Sequence, residues 1–108
     1  MISHSRAIRW YRKYNKLYFV NKLNNNPTII FEHIEGKDEK AAQAYKEKSG
    51  NVEIVLNPFH AHDWNYVRQS ILHEMAHISI WPKGKTHNYL FDAEIDRLYQ
   101  LGAYKGLL

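Results

Sequence analysis

The chain is predicted to be an α+β domain: an N-terminal helix, a small antiparallel sheet of about three strands, a motif-bearing helix and a C-terminal helix. Three observations predict this. Residues 5–24 lack Gly and Pro and repeat aromatic or apolar side chains at three-to-four spacing. Two short runs, residues 28–34 (TIIFEHI) and 52–56 (VEIVL), are β-branched and apolar. Two amphipathic stretches, residues 64–80 and 88–102, occupy the C-terminal part.

Taken in order, the first helix would bury Ala7, Tyr11, Tyr14 and Tyr18, and Asn24, Asn25, Asn26 and Pro27 would end it. After the first strand, residues 35–38 read as a turn. Residues 40–48 are ambiguous, because Ala41, Ala42 and Ala44 prefer helix by propensity. The Ser49-Gly50-Asn51 turn favours a hairpin, which makes residues 42–48 the partner of strand 52–56. Asn57-Pro58 closes that strand, and Asp63 is the expected N-cap of the next helix. Its buried stripe would be Trp64, Val67, Ile71, Met75 and Ile78. Pro82 and Gly84 break the chain into a basic loop. The last helix would face the core with Phe91, Ile95, Leu98 and Leu101, and Gly102 would stop it.

With 108 residues, the whole span 1–108 reads as one domain around one core. There are no cysteines, which excludes disulfides, thiolate catalysis and Cys-ligated metal. No apolar run approaches the roughly 18 residues of a membrane span, and the first ten residues lack the apolar segment of a secretory signal. The expectation is a cytoplasmic protein with no membrane partner. The net charge of +4 permits an acidic or nucleic-acid partner without requiring one.

Among seven histidines, two stand at metal-ligand spacing. His73-Glu74-Met75-Ala76-His77 is an H-E-x-x-H pattern within a predicted helix, so both imidazoles lie one turn apart on one face. Glu74 flanks them, where a carboxylate can take a proton from a water that a metal ion has acidified. A helix with two surface histidines is the bland alternative. A catalytic zinc normally takes three protein ligands. His87, after the Pro-Lys-Gly turn, leads as the third; Glu94 is its rival, with Asp92 and Asp96 behind. His60, His62 and Asp63 form a second, weaker cluster, and His4 and His33 read as structural or exposed.

The first helix also carries Arg6, Arg9, Arg12, Lys13 and Lys16, with no acidic residue before Glu32. These are candidate nucleic-acid contacts, and the interleaved Trp10, Tyr11 and Tyr14 would suit stacking on exposed bases. The competing reading is a solvated basic face with its aromatics in the core.

The residues VEIVLNP (52–58), VRQSILHEMAH (67–77), NKLYF (15–19), and His87 followed four positions later by Phe91 resemble the SprT-like (Spartan-type) metalloprotease domain. The resemblance covers nearly the whole chain. It implies a minimal zincin-like domain holding one zinc through His73, His77 and His87, with Glu74 as general base and acid. It implies a metallopeptidase acting on a protein or peptide substrate, with a link to DNA-associated proteins. This chain departs from the pattern in having Asn88 where many relatives have Gly, a compact His77-to-His87 gap, and no Cys-based zinc ribbon before Leu108. A domain this reduced would suit a phage or mobile-element protein. Tyr89 and Tyr66 are candidates to stabilise an oxyanion. The reading from a different class is a zinc-containing nucleic-acid or protein-binding module with little turnover.

Overall fold

The computed structural model describes residues 3–34, 41–83 and 86–107. The turn expected at residues 35–38 therefore lies outside the described residues. The architecture is α+β: helix α1 (His4–Tyr18), strands β1 (Thr28–Phe31), β2 (Ala42–Lys46) and β3 (Val52–Leu56), a 3-10 turn (Pro58–His60), and helices α2 (Trp64–Ser79) and α3 (Tyr89–Gln100). No described helix is long and apolar enough to cross a membrane.

The sheet is mixed, which corrects the antiparallel expectation. Its order is β1-β3-β2, with β1 parallel to β3 and β2 antiparallel to it. The reason lies in side-chain character. β3 buries Val52, Ile54, Val55 and Leu56, so it takes the centre, where both edges are paired. β2 carries Gln43 and Lys46 and tolerates the edge. The β2–β3 hairpin follows the Gly50 turn as expected: Gly50 has φ +96, and the Glu47 N–H donates to the Asn51 carbonyl (2.9 Å).

Helix α1 ends at Tyr18, six residues before the predicted Asn24. Asn15 is the cause. Its carbonyl accepts from the Phe19 N–H (3.2 Å) and the Asn21 N–H (2.9 Å) as Val20 and Asn21 turn left-handed at φ 46 and 60. Its side chain, 0% exposed, donates to the Leu23 carbonyl (2.8 Å) and accepts from the Leu23 N–H (3.1 Å). A second correction concerns Leu101, which is 53% exposed; the chain instead buries Ala103, Tyr104 and Leu107 after the Gly102 turn. There the Ala103 N–H returns to the Leu98 carbonyl (3.0 Å), with Gly102 at φ +82.

Helix α2 begins at the expected Asp63 cap, whose carboxylate accepts from Asn65 N–H (2.9 Å) and Tyr66 N–H (3.4 Å). It packs against the sheet, α1 and α3. Val67, Ile71, Met75 and Ile78 are buried as predicted, joined by Leu72 and Ala76, while Trp64 is half-buried. From α1, Tyr11 donates its phenol to the Asn24 carbonyl (2.7 Å), and Tyr14 accepts from Arg68 Nε (2.7 Å). Burial pushes the Tyr11 and Tyr104 phenols well above their ordinary range, and Tyr14 also rises by burial, against the lowering effect of Arg68.

Asn15→Ala is expected to cost about 2–3 kcal/mol, because it leaves the buried N–H and C=O of Leu23 without partners. Urea denaturation checks this; a loss below about 0.5 kcal/mol would show that water replaces both bonds.

Candidate metal centre

His73 and His77 stand one turn apart on α2, and His87 reaches them from the segment preceding α3. The delivery of His87 is a capping event. Asn88 accepts from the N–H groups of Leu90 (3.0 Å) and Phe91 (3.1 Å), and its amide donates to the Lys83 carbonyl (2.6 Å). The residue just before the cap is thereby held against the motif helix. Asn88, which departs from the glycine of the resembled pattern, performs this cap with its side chain.

The His87 Nε2 atom lies 3.1 Å from His73 Nε2 and 3.2 Å from His77 Nε2. Three ligands at about 2.0–2.1 Å from a tetrahedral ion stand roughly 3.3 Å apart, so the donor set fits one metal ion. Phe91 supplies the wall behind it. Its ring stacks on His77 (4.2 Å, 20°) and on His87 (4.5 Å, 5°), and meets His73 at 4.9 Å and 61°. These contacts restrict the imidazole planes without using their nitrogens.

Glu74 is 5% exposed, and its carboxylate stands 4.0 Å from His73 Nε2. It opens onto a cleft of about 700 Å³ lined by residues 41–45 and by Tyr66, Gln69, Ser70, His73, His77, Trp81 and His87. Sequence reasoning missed most of this cleft. Tyr66, Gln69, Ser70, His73 and His77 share three-to-four spacing on α2, so that face was legible. The opposing β2 wall depends on sheet order and was not.

The other candidates fall elsewhere. Glu94 accepts from the Ser79 hydroxyl and from Arg97 Nε, and Arg97 also donates to the Tyr18 carbonyl (2.6 Å). It ties α2, α3 and α1 together and does not join the histidine group, the one such group among the described residues. Asp92 and Asp96 are exposed. Asp63 is the helix cap, His62 is exposed, and His60 packs against Phe59 (5.2 Å) and Tyr66 (5.9 Å). His4 and His33 are exposed. Tyr66 lines the cleft, whereas Tyr89, 79% exposed, does not.

On α1, Arg6, Arg9, Arg12, Lys13 and Lys16 are all exposed. Arg12 binds the Asn25 carbonyl (2.9 Å) and Asn26 Oδ1 (3.1 Å), and Arg6 lies over Trp64 (4.5 Å). Tyr11 and Tyr14 are buried, so they cannot serve as stacking platforms. Trp10 is covered by Lys13 (4.7 Å) and Arg68 (3.7 Å).

No protein-family model, curated protein or solved structure matches the chain.

Titration with a divalent transition metal is expected to show about one ion per chain, weakened about tenfold or more by His87→Ala and unchanged within about twofold by Glu94→Gln. A variant lacking His87 that binds as tightly as the parent would remove it from the ligand set.

Proposed function

We propose that the chain is a zinc metallopeptidase of the SprT-like kind. One observation carries the proposal: three imidazole nitrogens converge at metal-ligand spacing beside a buried carboxylate on the wall of an open cleft. His73, His77 and His87 would hold the zinc. All-imidazole donors suit zinc, and three protein ligands leave a coordination position open, as in catalytic sites. When bound, the ion would acidify a water and polarise a carbonyl.

The chain's own residues supply the remainder. Glu74 takes a proton from the attacking water as oxygen bonds to the scissile carbon. It then gives that proton to the departing amine nitrogen as the C–N bond breaks. Burial and a neighbouring imidazole hold the carboxylate beside His73.

The cleft supports a peptide as substrate. Residues 41 and 57 pair through the Asn57 N–H and the Ala41 carbonyl (2.8 Å), so the alternating antiparallel ladder turns the backbone groups of Ala42 and Ala44 away from β3. Among the described residues these groups lie on the sheet edge along the cleft, where an extended chain can add as a further strand.

Glu74→Gln is expected to keep its metal and fold while turnover of an unfolded protein substrate falls by about 10²- to 10⁴-fold. Cleavage at parental rate by metal-loaded Glu74→Gln would overturn the peptidase reading.

A DNA contact rests on a separate observation, the exposed Arg6, Arg9, Lys13 and Lys16 of α1. With Tyr11 and Tyr14 buried, such binding would use phosphates and ignore sequence. Affinity for duplex DNA is expected to drop about tenfold or more between 50 and 200 mM salt, and to weaken when Arg9, Lys13 and Lys16 become Ala. Absent or salt-insensitive binding, measured by fluorescence anisotropy, would leave the face as solvated surface.

A further inference from the structure

The cleft extends well beyond the histidines, and its outer part has a distinct chemistry. On α2, Tyr66, Gln69 and Ser70 continue the His73 face toward the helix N-terminus. Tyr66 stands about 10 Å of helix rise before His73. An extended peptide advances about 3.3 Å per residue, so roughly three residues separate a side chain over Tyr66 from one over the histidines.

Two polar groups of this wing are engaged by the chain itself. The Gln69 amide donates to the Leu107 carbonyl, and the Ser70 hydroxyl donates to the Tyr66 carbonyl (3.0 Å). Among the described cleft-lining residues Glu74 is the one carboxylate, and none is Lys or Arg. Beside Tyr66 a substrate ring or large aliphatic group would meet exposed aromatic surface. Tyr66 is 41% exposed, and from it a row of rings runs outward through His60 to Phe59, which is 73% exposed. A phenyl so exposed has little packing role in the domain itself.

We propose that Tyr66, with His60 and Phe59, forms a subsite for an aromatic or large aliphatic side chain two to four residues from the bond to be cut. The occupant is an extended peptide segment, whose backbone pairs with the sheet edge at Ala42 and Ala44. The subsite deepens the peptidase reading and rests on the same cleft, but its recognition does not need turnover.

Binding is therefore measured on zinc-loaded Glu74→Gln protein with fluorescein-labelled twelve-residue peptides of Ala, Ser and Thr. One carries a single central Phe, and its counterparts carry Asp or Ala there. The Phe peptide is expected to bind about tenfold or more tighter than either counterpart. Combining Tyr66→Ser with Phe59→Ser should bring the three within about twofold while metal content holds. Equal binding of the three peptides, no binding of any, or a Phe preference that survives the double substitution would overturn the subsite. A preference that appears as predicted while the unsubstituted protein cleaves nothing upholds the subsite and removes the peptidase reading. Cleavage without any aromatic preference does the reverse.

Discussion

The close approach of three imidazole nitrogens is the constraint on which the rest of this structure depends. Two come from one helix face and cost the fold little, since residues four apart are neighbours on any α-helix. The third must be brought from another segment and held within about an ångström. That precision comes from the Asn88 cap, which fixes where α3 begins, and from Phe91, whose ring lies flat against His77 and His87. Cap and wall lie within four residues of His87, so its imidazole is positioned by a short, stiff piece of chain.

The motif helix has a double task. Its inner face buries Ile71, Leu72, Met75, Ala76 and Ile78, which sets its depth and rotation in the core. Its outer face then has no freedom to turn, and His73, Glu74 and His77 inherit their orientation from that packing. The Ser79–Glu94–Arg97–Tyr18 chain locks the C-terminal end of α2 to α3 and α1 through charge-assisted hydrogen bonds. Glu94 thus ties the three helices together and stands apart from the histidine group.

The sheet serves the site in a different way. With the most apolar strand at its centre, β2 is left at the edge among the described strands, and the ladder register turns alternate backbone groups of β2 away from β3. The cleft is therefore a helix face opposed to a strand edge.

Much of this was legible in the amino-acid order. Local chemistry determined strand β3, the Asp63 cap, the buried stripe of α2, the Gly50 and Gly102 turns and the His73-Glu74-His77 face, because each depends on residues within a turn or two of one another. Other features were settled only by tertiary structure. The early end of α1 arises because Asn15 finds the Leu23 backbone, a side-chain pairing that no periodicity announces. The order β1-β3-β2 follows from competition among strands for the buried centre, and the parallel sense of β1 is fixed only when it docks beside β3. That His87 rather than Glu94 lies beside His73 and His77 depends on how α3 docks, since both residues were within reach along the chain. Spacing specifies which side chains share a surface; only the packed core determines which surfaces meet.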